Sequence, residues 1–204
     1  MPDTDERLRT VLDRYERRRT QERSGRGRES TETSTRMFAI GPEAGTLLNV
    51  LARSIKSPRI LEIGTSYGYS GLWLAEAARA RGGHVLSLEC DAHKSDHARG
   101  EAHAAGLAEW IEHRTGDAVT LIPTLEGKFD MVFLDLWKDL YVPCFDAFVP
   151  KLAPGALVVA DNMGRGGGAG TRAYAERIRC EPRFESVMVP VGTGMEISRF
   201  ARTL

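Results

Sequence analysis

With 204 residues, 42% hydrophobic and 27% charged, and 21 glycines, the chain has the size and composition of one compact domain with a modest extension, which excludes collagen-like, coiled-coil and wholly disordered classes. Its 28 Lys plus Arg balance 28 Asp plus Glu, so no global charge draws it to nucleic acid or to an anionic membrane. No apolar run approaches the roughly 18 residues that span a bilayer, and the polar start MPDTDERLRT carries no apolar signal core, so a cytoplasmic protein is expected.

Residues 1–36 form an N-terminal extension and residues 37–204 the main domain. Leu8, Val11, Leu12 and Tyr15 keep a partial helical period in a stretch rich in Arg and Glu, which predicts one amphipathic helix over about residues 5–22, packed on the domain or on a second subunit of a homodimer. The run SGRGRESTETST after it reads as loop. From Met37 onward, short apolar runs alternate with longer helical stretches. Strands are predicted at RILEIG (59–64), HVLSLE (84–89), WIEHRTG (110–116), FDMVFLD (129–135) and ALVVAD (156–161). Helices fall at GLWLAEAARARG, AHKSDHARGEAHAAG, a short piece near AVTLIPTL, KDLYVPCFDAFVPKL and TRAYAERIRC. Alternation of this kind predicts a parallel sheet with right-handed crossovers. Two last runs, FESVMVPV and GMEISRF, flank Gly192, Thr193 and Gly194 and read as an antiparallel hairpin, giving seven strands. The expectation is an α/β, Rossmann-like, seven-stranded, mostly parallel sheet closed by a C-terminal antiparallel hairpin, an arrangement similar to that of class I S-adenosylmethionine-dependent methyltransferases.

In such folds ligands bind beyond the carboxyl ends of the strands. The first strand runs into LEIGTSYGYSG, where Ser66 replaces the second glycine of a dinucleotide fingerprint. Backbone N–H groups with the Ser66 and Ser70 hydroxyls suit a carboxylate, and nearby acids suit an ammonium, which together are the ends of a methionine-type cofactor; the same turn also serves as an ordinary strand-to-helix connection. Glu89 closes the second strand, where an acid accepts hydrogen bonds from ribose hydroxyls of either an NAD or an S-adenosylmethionine type of ligand. Asp117, in TGDA, is placed to meet an adenine amino group or to cap a helix. Asp135 ends the fourth strand, and Asp161 with Asn162 ends the fifth. Two carboxylates and an amide oxygen, without His or Cys, suit a hard octahedral cation such as Mg2+, with Mn2+ or Ca2+ as other candidates. Lys138, three residues after Asp135, faces the same way if a helix starts there, and repulsion by a dication would ready it to accept a proton.

Other candidate groups carry less. Cys90, Cys144 and Cys180 are odd in number and widely spaced, which suggests neither a disulfide framework nor a zinc ribbon. His93 and His97 share the spacing of a zinc-protease helix but lack its glutamate, so a solvated face is expected. The loop MGRGGGAG after Asn162 carries Arg165 and lacks the GK[ST] of a phosphate cradle.

From about residue 37 to 200, and most sharply in FLDLWKDLY followed by ALVVADN, the chain resembles the cation-dependent O-methyltransferase family, which includes catechol and caffeoyl-CoA O-methyltransferases. The resemblance implies that Asp135, Asp161 and Asn162 bind the metal and that Lys138 is the general base. It implies a cofactor site of Ile40, Glu62, Gly64, Ser66, Ser70, Glu89, Cys90 and Ala118, joined by Asp117, Asp135 and Trp137. The substrate side would comprise Trp137, Lys138, Asn162 and Glu196, since GMEISRF resembles the family segment whose glutamate accepts a hydrogen bond from the hydroxyl that is not methylated. Where the catechol enzymes have a proline-bearing wall this chain has MGRGGGAG, and the resemblance therefore implies a looser substrate site. The expected activity is Mg2+-dependent transfer of a methyl group from S-adenosylmethionine to a small aromatic vicinal diol, with no nucleic-acid or membrane partner. The rivals are a methyltransferase for another nucleophile, a non-catalytic S-adenosylmethionine-binding protein, and an NAD-dependent dehydrogenase, which Ser66 and the terminal hairpin disfavour.

Overall fold

The computed structural model describes residues 4–24, 36–164 and 167–201. Seven strands form one sheet: β1 (Arg59–Ile63), β2 (His84–Glu89), β3 (Ile111–Thr115), β4 (Phe129–Leu134), β5 (Leu152–Ala160), β6 (Phe184–Val189) and β7 (Met195–Phe200), in the order β3-β2-β1-β4-β5-β7-β6. The first five are mutually parallel, and β7 runs antiparallel to both β5 and β6, as the sequence pattern anticipates. The order reverses between β1 and β4, so their carboxyl ends flank the crevice where such sheets take ligands.

Among the described residues, seven α-helices cover the two faces: α1 (Thr4–Arg23), α2 (Pro42–Arg53), α3 (Tyr69–Arg81), α4 (Ala92–Ala105), α5 (Ala118–Thr124), α6 (Tyr141–Phe148) and α7 (Gly168–Arg179). Side chains alternate across β4: Met131 and Phe133 enter the core under α1 to α4, while Val132 and Leu134 enter the core under α5 to α7. Leu8, Val11 and Tyr15 are buried in the first of these cores, so α1 packs on the domain, with ion pairs from Arg14 to Glu101 and from Asp5 to Arg79 at its edges. No helix among the described residues is long and apolar enough to cross a membrane.

Three elements differ from expectation. Helix α2, opened by Pro42 in its first turn, was not anticipated; Ala44, Leu48 and Ala52 give its buried stripe, and Gly45 lets it approach the Trp73 ring of α3. Strand β5 starts at Leu152, four residues before its apolar run, with a register shift against β4 where Pro154 and Gly155 interrupt the pattern. The stretch 138–152 is not one helix. A 3-10 turn at Lys138–Leu140 precedes α6 and another at Val149–Lys151 follows it, because Pro143 fits a first turn that needs no N–H, while Pro150 cannot continue the helix.

Candidate active site

Beyond the carboxyl ends of β1, β2, β4 and β5 lies a cavity of about 560 Å3. Its first half is built by the β1 turn. Gly64 has φ +101°, and a Cβ there would sit 2.1 Å from the Asp135 carbonyl oxygen, so only glycine lets the ends of β1 and β4 close together. Ser66 takes a left-handed φ of 48°, uncommon outside glycine and asparagine. That conformation is held from two sides: the Ser66 N–H donates to Glu89 Oε2 at 2.7 Å, and its Oγ donates to the Met37 carbonyl at 3.0 Å. Glu89 Oε1 accepts from the Asp91 N–H at 3.0 Å and from the Cys90 thiol at 3.5 Å, so the acid at the end of β2 is oriented mainly by backbone donors. Asp117 caps α5, accepting from the N–H and hydroxyl of Thr120 at 2.8 and 2.9 Å, and it also borders the cavity.

The second half is acidic. Asp135 and Asp161, from β4 and β5, both line the cavity. Burial pushes the Asp135 carboxyl above its usual range against the pull of Lys138, and burial together with the charge of Asp135 pushes Asp161 up to about 6. Lys138 Nζ donates to Asp135 Oδ1 at 3.0 Å, to the Leu136 carbonyl at 2.8 Å and to Tyr141 Oη at 3.0 Å. The buried Tyr141 hydroxyl in turn donates to the Asp161 carbonyl at 3.1 Å, which ties Lys138 to the end of β5. Asn162 stands at φ 60°, a conformation asparagine tolerates better than most residues. Its Nδ2 donates to Thr193 Oγ1 at 3.0 Å, and Thr193 donates to Asp161 Oδ1 at 2.8 Å.

Among the described residues no group of three or more His, Cys, Asp and Glu able to hold a metal comes together; Asp135, Asp161 and Asn162 line this end of the cavity. A buried Asp161 and a half-buried Asp135, both raised by burial and the former also by the charge of the latter, offer oxygen donors that fit a hard divalent cation and not zinc.

The cavity brings together Ile40, Gly64, Ser66, Glu89, Cys90, Asp117, Ala118, Asp135, Trp137, Lys138, Asp161 and Asn162 of the expected set. Three expected residues lie elsewhere. Glu62 and Ser70 do not line the cavity: Ser70 donates to Glu62 at 2.5 Å and Ser87 donates to its other oxygen, forming a buried knot beneath the β1 turn that supports the turn from behind. Glu196 is fully buried, and both its oxygens are taken by Arg179, at 2.7 and 2.6 Å, so it is a structural ion pair rather than a substrate contact. The glycine loop is not slack where it is described, because Gly167 and Gly170 press on the carbonyl oxygens of Asn162 and Lys138, where a Cβ would meet each oxygen at 2.2 Å. Arg165 lies outside the described residues. The residues that sequence reasoning missed are Tyr141, Thr193 and Phe38, the last lining the mouth with Trp137; Phe38 is 52% and Trp137 61% exposed. The Lys138-to-Tyr141 spacing of three was the one available signal for Tyr141, and nothing local marks Thr193.

A methyltransferase-domain family matches residues 61–163, half of the chain. Over 134 residues the chain is 36% identical to a catechol O-methyltransferase of Niastella koreensis, covering 64% of this chain and 60% of that protein. It is 38% identical over 132 residues, with the same coverage, to a catechol O-methyltransferase of Mycobacterium tuberculosis, so the match spans about 60% of the length of these curated relatives. The solved structure of the O-methyltransferase TomG from Streptomyces achromogenes, in complex with S-adenosylmethionine, superposes with a TM-score of 0.77 at 27% identity, covering 99% of this chain and 92% of that one. Sheet order and cavity together define a Rossmann-like methyltransferase domain. Within that class, the chain belongs to the methyltransferase-domain family whose model it matches, and it is similar to catechol O-methyltransferases.

Proposed function

We propose that the protein transfers a methyl group from S-adenosylmethionine to one hydroxyl of a small aromatic vicinal diol, with Mg2+ or a similar hard cation bound. The observation that carries this reading is the convergence of Lys138, Asp135, Asp161 and Asn162 at one end of a cavity whose other end holds Glu89 and the Ser66 turn. Glu89 would accept the ribose hydroxyls, and the backbone around Ser66 would take the carboxylate end of the cofactor. Asp135, Asp161 and the Asn162 carbonyl would hold the cation, which supplies Lewis acidity that eases loss of the diol proton. Having released to solvent one of the protons that it donates to Asp135, the Leu136 carbonyl and Tyr141, Lys138 Nζ would as the neutral amine take the diol proton and hold it within the site. Trp137 and Phe38, exposed at the mouth, would grip the aromatic ring. Fixing acceptor oxygen and methyl carbon at attack distance contributes up to about 7–11 kcal/mol in well-oriented systems.

The test is product formation from S-adenosylmethionine and catechol, followed by chromatography. Methyl transfer should vanish in EDTA and return with Mg2+; an undiminished rate after exhaustive chelation would overturn the metal part of the reading, and no transfer under any condition would overturn the whole.

A further inference from the structure

The turn between β6 and β7 reaches into the acidic end of the cavity, and we propose that Thr193 on that turn is a positioning residue that orients the two ligands of the cation, Asp161 and Asn162. This inference rests on the metal-dependent reading above. A threonine hydroxyl has one proton to give and lone pairs to receive. An ionised carboxylate only accepts, so the 2.8 Å bond to Asp161 Oδ1 uses the Thr193 proton. The 3.0 Å bond must then run from the Asn162 amide N–H to the Thr193 oxygen. The pair of bonds therefore fixes which end of the Asn162 amide is which: the NH2 is held by Thr193, and the carbonyl oxygen is the end left to meet a cation. Rotating that amide by half a turn would present N–H groups to a positive charge and break the bond to Thr193.

The turn is itself anchored to the segment that carries the ligands. The Met163 N–H donates to the Gly194 carbonyl at 2.8 Å, and the Gly164 N–H donates to the Thr193 carbonyl at 2.9 Å. Gly164 lies so close that a Cβ on it would meet the Thr193 oxygen at 2.5 Å. Thr193 thus sits at the exposed rim of the cavity on a turn held by two backbone bonds, 31 residues from Asn162 in sequence. The C-terminal hairpin contributes to the metal site through this one side chain, whereas Glu196 on the next strand contributes to structure.

Partners that orient metal ligands change metal affinity by roughly 10- to 100-fold when removed. The experiment measures Mn2+ binding by electron paramagnetic resonance of the free ion, with no turnover involved, in the parent, T193V, T193A and T193S. T193V keeps the shape and loses the hydroxyl, T193A loses both, and T193S keeps the hydroxyl. The expected result is Mn2+ binding weakened about 10- to 100-fold in T193V and T193A and within about threefold of the parent in T193S. S-adenosylhomocysteine affinity, measured by calorimetry without metal, should stay within about twofold in all variants, because the cofactor half is untouched. If T193V fails to fold, T193A against T193S gives the same contrast. Mn2+ affinity in T193V or T193A equal to that of the parent would overturn this inference alone. A parent that binds no Mn2+ would overturn the metal reading and this inference with it, so the two failures are distinguishable.

Discussion

The two halves of the cavity treat their acids differently. At the cofactor end, Glu89 and Asp117 are paired with donors of the chain itself, backbone N–H groups and a threonine hydroxyl, so each carboxylate is satisfied and aimed. At the other end, burial raises the proton affinity of both Asp135 and Asp161, the charge of Asp135 adds to it at Asp161, and Lys138 and Thr193 compensate in part. Satisfied acids can recognise neutral hydroxyls, which only donate into them. Acids whose burial is only partly compensated call for added positive charge, and on the proposed function the difference separates an end for a nucleoside from an end for a cation.

The largest effect that sharpens this comparison is at Lys138. Lys138→Ala should lower kcat by about 10²- to 10⁴-fold, the range for loss of a general base, with S-adenosylmethionine affinity nearly unchanged in a calorimetric titration. Turnover within threefold of the parent would assign the proton to another group. At the opposite end, Glu89→Ala should do the reverse. It should weaken cofactor binding by about 1.5–3 kcal/mol, because bonds to a charged group are lost and the Ser66 turn loses its anchor. Unchanged cofactor affinity would place the ribose elsewhere.

A third prediction concerns Glu62, behind the cofactor end. Burial pushes it up to about 7 from an ordinary 4.5, despite the serine hydrogen bonds. The folded state therefore holds a proton that the unfolded state releases between those values. Glu62's contribution to stability is greatest below about pH 4.5 and declines as pH rises through about 7, by up to about 3 kcal/mol. Glu62→Gln does not titrate, so urea unfolding should show its stability rising relative to the parent from pH 5 to pH 8. Parallel pH profiles for the two proteins would remove Glu62 as a titrating group in that range. The smallest effect is at Tyr141: Tyr141→Phe removes the bridge from Lys138 to the end of β5 and should cost about 0.5–1.5 kcal/mol in unfolding free energy, with kcat reduced several-fold. Identical melting and kinetics would make the bridge incidental.

Much of this site was legible because α/β sheets put their chemistry at strand ends, and Glu89, Asp135 and Asp161 each stand at or just beyond one. Glu62 shows where that rule stops. It lies on β1 two residues before Gly64, and only the positions of Ser70 and Ser87 in space decide that its carboxylate turns under the loop instead of into the cavity. Glu196 was misplaced for a related reason: its address at the hairpin is right, but Arg179, at the end of α7, captures both of its oxygens. Helix α2 was legible and overlooked, since Pro42 opens it and Ala44, Leu48 and Ala52 recur at four-residue spacing on its buried face. Thr193 could not be found locally at all, since its partners lie 31 and 32 residues away.

The central claim, that the Asp135 and Asp161 corner is built for a cation, is tested most directly by thermal unfolding of the parent and of Asp161→Asn at pH 8, in EDTA and then in excess Mg2+. Asp161 is raised to about 6 from an ordinary 3.8, so holding it ionised at pH 8 costs up to about 3 kcal/mol, and at roughly 2–4 °C per kcal/mol the neutral variant should melt several degrees above the parent in EDTA. Excess Mg2+ should then raise the melting temperature of the parent by several degrees and leave the variant nearly unmoved, since only the parent gains a ligand of the folded state. A variant that melts below the parent in EDTA, and gains as much from Mg2+ as the parent does, would contradict the account.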